Sequence, residues 1–291
     1  MELDLEKFLK PSDRWDAKYR KAVIAAIRQY QPDRAEDIIA QYLSRERCAK
    51  FNWVNTYSRR IFRKELLQVA QDRAQKLFRP GIVVMLASIT DFDWACCDRN
   101  IQFEFRSAKQ KIRNAFTGMN FIGAIEPAYY PRVPWMRDDQ IGCLISLHAH
   151  LVVWETSASK LRRHQREIRK RFTPVDPNDR STPKLNLLKG LIDLMTVVRY
   201  ASKMPFEGYD KKRGGAGDVG AGDSMDPDSS SGSVTQFHTD LQPIHHYRLF
   251  RFMRKHSLFD AWLGGGDGAN LLRDARKAAL KVARESNSST A

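Results

Sequence analysis

The chain of 291 residues is poor in cysteine, and the four it has are not spaced for metal ribbons. Cys48, Cys96, Cys97 and Cys143 lack Cys-x-x-Cys spacing, which argues against both a zinc ribbon and a disulfide framework and reads as reduced thiols. No run approaches the ~18 to 20 uninterrupted apolar residues that a membrane-crossing helix needs. The opening stretch, MELDLEKFLK, is acidic and amphipathic, unlike a signal peptide, so the expectation is a cytoplasmic, nucleoid-associated protein with no membrane partner. No Gly-x-x-x-x-Gly-Lys-Ser/Thr occurs, which excludes a phosphate-loop ATP motor, and there is no internal repeat. Acidic residues are in deficit: 49 Lys and Arg against 34 Asp and Glu leave a net charge of +15. Clustered cations gain free energy by releasing the counterions condensed on phosphates, so nucleic acid is the leading partner and an anionic membrane the second.

Hydrophobic periodicity divides the chain. Residues 1–80 carry 18 Lys and Arg against 11 Asp and Glu and read as a basic helical region, with Val23, Ile24, Ile27 and Tyr30, then Ile38, Ile39, Tyr42 and Leu43, at helical spacing. Pro32-Asp33 marks a break. Residues 81–206 alternate in type. Strands are expected at 81–89 (GIVVMLASI), 120–128 (NFIGAIEPA) and 141–154 (IGCLISLHAHLVVW), and helices at 101–116, 160–172 and about 187–203. Residues 207–235 hold seven glycines and almost no apolar side chains, so ordering them would cost entropy without burial; this stretch reads as a mobile linker. Residues 236–291 read as a helical C-terminal region, with helices at 247–263 and 270–282 around a Gly264-Gly265-Gly266 turn.

His148 and His150 are two apart on a predicted strand, so both side chains leave the same face while Leu147, Ala149 and Leu151 turn to the other. Two imidazoles on one rigid strand can share a divalent ion and need a third ligand, leaving open positions for a phosphate. The bland alternative is two histidines hydrogen-bonded at a sheet surface. Glu126, on the preceding strand, is the candidate third ligand; the alternative is a carboxylate exposed at a strand end beside Pro127. Tyr200 and Lys203 lie one turn apart at the end of the helix bearing the apolar stripe Leu188, Leu191, Ile192, Met195 and Val198. A phenol ionises near pH ~10 and needs a metal or a cation to act as a nucleophile at neutral pH. Lys203 is the candidate cation, the alternative being an ordinary aromatic and a lysine at a helix C-terminus.

In this order, the strand GIVVMLASIT, Glu126, His148-Ala149-His150 and Tyr200-Ala-Ser-Lys203 together resemble the HUH endonuclease superfamily, and within it the rolling-circle replication initiators with a single catalytic tyrosine. The resemblance covers about residues 81–206. It implies an α+β fold, with an antiparallel sheet of about five strands, helices on one face and the histidines on a central strand. It further implies a bound Mg or Mn ion, attack by Tyr200 on a phosphodiester of single-stranded DNA at an origin or hairpin, and a 5′-phosphotyrosine intermediate. No nucleotide cofactor is implied, and a host helicase and polymerase are the expected partners. A transposase of the same superfamily would use the same chemistry. A noncatalytic DNA-binding regulator and a metal phosphodiesterase acting on small nucleotides are the alternatives from other classes.

The helix after the histidine strand is the expected DNA track: Lys160, Arg162, Arg163, Arg166, Arg169, Lys170 and Arg171 stand there against a single Glu167. Tyr247, Phe250 and Phe252, interleaved with cations, suit either base stacking or a core.

Overall fold

The computed structural model describes residues 3–131, 143–155, 157–175, 184–201, 203, 207–213 and 234–288. The N-terminal region is helical as its periodicity predicts, with α1 (Leu5–Tyr30), α2 (Ala35–Tyr42) and α3 (Thr56–Leu77). A short 3-10 turn at Pro32–Arg34 makes the break after α1. Asp4 caps α1 by accepting from the Lys7 amide. Asn55 caps α3 through the Ser58 amide, 3.0 Å away, and its own amide donates to the Tyr42 and Ser44 carbonyls, tying the end of α2 to the start of α3.

Strand β1 (Val83–Cys97) runs well past its predicted end because a bulge between Thr90 and Ala95 takes up the polar segment and lets pairing resume. Then follow α4 (Phe105–Ala115), β2 (Asn120–Tyr130), β3 (Leu144–Glu155) and α5 (Ala158–Arg169). The start predicted for the histidine strand, at Ile141, lies outside the described residues. The helix predicted from Leu187 is shorter. Residues Lys184–Leu187 form an exposed edge strand, β4, and α6 spans Leu191–Tyr200 after Gly190. Of its predicted stripe, Leu188, Met195 and Val198 are buried, but Ile192 points to solvent.

Two sequence expectations change where the chain is described. The proposed linker is strand at both ends, β5 (Glu207–Arg213) pairing antiparallel with β6 (Val234–Asp240), while residues 214–233 lie outside the described residues. At the C-terminus, α7 (Pro243–Met253) and the short α8 (Leu258–Ala261) lead into β7 (Trp262–Gly265), then α9 (Asp267–Ser288). Gly264 and Gly265 are thus in a strand and not a turn. A Cβ on Gly265 would lie 2.2 Å from the Phe121 ring, and one on Gly264 would lie 2.6 Å from the Gly268 carbonyl oxygen. Close approach of backbone, not freedom to turn, requires glycine there.

The main sheet has the order β4-β1-β3-β2-β7, and every neighbouring pair is antiparallel. Along the 11-residue β2–β3 ladder, Phe121, Ile125, Leu147, Ala149 and Leu151 share one face, and Ala124, Glu126, His148 and His150 share the other. Helices cover both faces, not one as the resemblance implies. Phe116, at the end of α4, meets Phe121 on the first face, and Tyr200 of α6 meets His150 on the second. The reason is that both faces are apolar over much of their length, with Leu147, Ala149 and Leu151 buried on one side and Val152 and Trp154 on the other. The terminal regions join the same core: Tyr42 meets Phe250, Trp53 meets Phe252, and Phe62 meets Trp262.

Candidate metal and nucleophile site

Register brings the site together. His148 pairs with Glu126 on β2 and with Thr90 on β1, and His150 pairs with Ala124 and Ser88, so the carboxyl and both imidazoles leave the same face of the sheet centre. Glu126 Oε1 lies 3.3 Å from His150 Nε2 and 3.8 Å from His148 Nε2, and the two rings meet edge-on at 4.7 Å. Among the described residues, these three form the one group of metal-ligating side chains whose ligand atoms all lie within 4.8 Å of one another. The carboxylate-at-a-strand-end alternative does not hold, since Glu126 is buried.

Burial sets the charges. It pushes the Glu126 carboxyl up to about 8, against the opposing pull of Arg59 and Lys203. It pulls His148 down to about 4, although the Ser146 backbone accepts from that ring, and it holds His150 well below the usual histidine range, helped by His148. Both imidazoles are therefore neutral at pH 7, the form that ligates metals. Glu126 Oε1 accepts no hydrogen bond among the described residues. A buried oxygen left in this condition beside two neutral ring nitrogens fits a divalent cation, which would offset the desolvation that neither histidine compensates. Ser88 Oγ lies 3.0 Å from His150 Nδ1, so that nitrogen is engaged and Nε2 is the one turned toward Glu126.

Tyr200 ends α6 with its ring 5.7 Å from that of His150, edge-on, and is 41% exposed. Lys203 follows one turn later, its amide donating to the Tyr200 carbonyl and its Nζ lying 5.7 Å from the Tyr200 ring and 5.5 Å from the Trp15 ring. Tyr200 also hydrogen-bonds Tyr209 of β5, whose own phenol is pushed up by burial and by that bond. The predicted nucleophile, its cation and the three predicted ligands thus converge.

The predicted DNA track does not join them. Lys160, Arg162, Arg163, Arg166, Arg169, Lys170 and Arg171 are all exposed, but α5 lies beside α4. His164 contacts the Ala115 carbonyl, and Arg171 donates to the Asn114 carbonyl at 3.3 Å. Since α4 packs on the face away from Glu126, these cations stand on the far side of the sheet from the metal ligands. Phe250 and Phe252 are buried, and Tyr247 stacks on Tyr30, so these aromatics form core and not a stacking platform.

Three contributors escape sequence reasoning. Ser88 left a signal, a hydroxyl inside an apolar strand. Trp15 and Arg59 left none, because they reach the site from α1 and α3, far along the chain. Arg59 and Arg63 are buried against Asp16, at 3.7 and 3.0 Å, and form a charged layer behind Glu126.

No family model, curated protein or solved structure matches the chain.

Proposed function

We propose that the chain is a metal-dependent endonuclease of the HUH type that nicks and rejoins single-stranded DNA, serving as a rolling-circle replication initiator. The observation that carries this reading is the buried Glu126, His148 and His150 group with the Tyr200 phenol beside it, combined with a net charge of +15. Glu126, His148 and His150 would hold the ion, Mg or Mn, which would supply positive charge to polarise the scissile phosphate.

The chain's own groups do the rest. Tyr200 is exposed enough for a strand to reach it, and its oxygen attacks phosphorus. The Oη–P bond forms and the P–O3′ bond breaks. The phenolic proton ends on the departing 3′ oxygen, leaving a 5′-phosphotyrosine and a free 3′-OH. Lys203 supplies positive charge beside the phenol, and Tyr209 donates to the Tyr200 oxygen. Ser88 holds the His150 ring. Attack by a 3′-OH on the phosphotyrosine reverses the step and rejoins the strand, so no nucleotide cofactor is consumed. Opening and copying of the duplex fall to a host helicase and polymerase.

The test is incubation with labelled single-stranded DNA, including candidate origin sequences, and Mn, followed by a denaturing gel. A covalent adduct lost in Tyr200→Phe and in His148→Ala plus His150→Ala supports the reading. Tight binding with no adduct from the wild-type protein favours a noncatalytic regulator.

A further inference from the structure

At the free edge of β7, between α4 and α9, a cleft of about 320 Å³ is lined by Lys109, Arg113, Arg273 and Arg276. Among the described residues no carboxylate lines it. Lys109 Nζ donates to the Phe259 carbonyl at 3.2 Å, and the Arg276 guanidinium lies 4.5 Å from the Phe259 ring, so the floor of the cleft positions two of its cations. Asp260 and Asp274 are nearby, and each has a hydrogen-bond or ion-pair partner outside the cleft. Asp260 accepts from the Ser257 amide at 2.8 Å, and Asp274 pairs with Arg73 at 2.5 Å, leaving Arg273 only a 4.0 Å contact. Among the described residues Arg113 and Arg276 form no ion pair. Burial pulls the Lys109 ammonium down to about 8, opposed by Asp260 and helped by Arg113 and Arg276, which stand close enough to repel it.

The cleft does not stand alone. Arg113 lies on α4, and the C-terminal end of α4 meets α5 and the residue just past it at His164 and Arg171, so the exposed Lys160, Arg162, Arg163, Arg166 and Arg169 of α5 stand on the same side of the sheet as α4. Exposed large apolar side chains among the described residues are Phe92, Leu187, Ile192 and Tyr200, and none is on α4, α5 or α9. The cleft itself offers four cations and none of the exposed large aromatics, which suits a backbone whose bases are already stacked in a duplex, whereas single strands are held by stacking on aromatic rings.

We propose that the Lys109, Arg113, Arg273 and Arg276 cleft binds a backbone phosphate of duplex DNA lying across α4 and α5, on the sheet face away from the metal ligands. The choice of DNA among phosphate polymers rests on the proposed function; the cleft and its phosphate chemistry do not. The protein then holds duplex on one face while a single strand is handled on the other.

The experiment measures binding of a short labelled duplex by fluorescence anisotropy over a range of salt concentrations, in EDTA so that no cleavage contributes. For Arg113→Ala with Arg276→Ala, affinity is expected to fall about tenfold and the slope of log affinity against log salt to lessen by about one unit, the share of one phosphate. Arg113→Glu, on the exposed rim, guards against loss of Phe259 packing and is expected to show the same direction with unchanged thermal unfolding. Tyr200→Phe should bind duplex like the wild type, so absence of a covalent adduct and loss of this cleft are separately visible. Unchanged affinity and slope in both arginine variants overturn the proposal, as does a loss confined to single-stranded DNA.

Discussion

Glu126 stands directly opposite His148 across the β2–β3 ladder, and its Oε1 comes closer still to His150, at 3.3 Å. The relationship depends on register. A slip of one residue would send Glu126 to the opposite face, into the layer of Leu147, Ala149 and Leu151. The long ladder, running from Asn120↔Trp154 to Tyr130↔Leu144, holds that register against slippage.

Metal binding should release a proton. At pH 7 the Glu126 carboxyl, pushed up to about 8, is mostly protonated and must ionise to ligate, while His148, near 4, is already neutral. Titration calorimetry with Mn in buffers of different ionisation enthalpy should report about one proton released at pH 7 and progressively less above pH 8. Glu126→Gln should abolish the release. In the metal-free protein, the raised carboxyl contributes stability that is full below the usual 4.5 and is lost as pH rises through about 8. Glu126→Gln should therefore raise the metal-free stability above pH 8, by about 1–3 kcal/mol, in denaturant melts. No gain there would mean the carboxyl ionises at little cost.

Ser88→Ala removes the partner of His150 Nδ1 without touching a ligand. Mn affinity should fall roughly 10- to 100-fold while the thermal melt of the metal-free protein moves little. Wild-type affinity in the variant would show that the ring is held by packing alone.

The two phenols should separate in kinetics. Tyr200→Phe eliminates the covalent adduct, whereas Tyr209→Phe keeps it and shifts the pH at which adduct formation is half-maximal upward, because the donor to the Tyr200 oxygen is gone. Rates of adduct formation against pH distinguish the outcomes; an unshifted profile removes Tyr209 from the chemistry.

Gly123 sits where β2 passes His150. A Cβ there would lie 2.0 Å from the His150 carbonyl oxygen and 2.7 Å from Leu151 Cδ2. Gly123→Ala should cost on the order of 1–3 kcal/mol in denaturant unfolding and weaken Mn binding along with it, since the strand that moves carries both histidines. Full retention of both would contradict the ladder as described.

The sequence by itself determined the elements whose chemistry is local. Period-2 patterning placed His148 and His150 on one strand face and Glu126 on its neighbour, and helical periodicity placed α1 to α4 and Tyr200 at a helix end, because alternation and turn period are properties of a few consecutive residues. Tertiary structure alone decided the rest. Whether glycines make a linker, a turn or a strand depends on what approaches them, and Phe121 and Gly268 made a strand of Trp262–Gly265. Which face α5 covers depends on its meeting the end of α4, where His164 contacts the Ala115 carbonyl, so its cations went to the side away from the metal ligands. Arg59 and Trp15 reach the site from distant segments, and contacts of that separation leave no periodic trace in a single sequence.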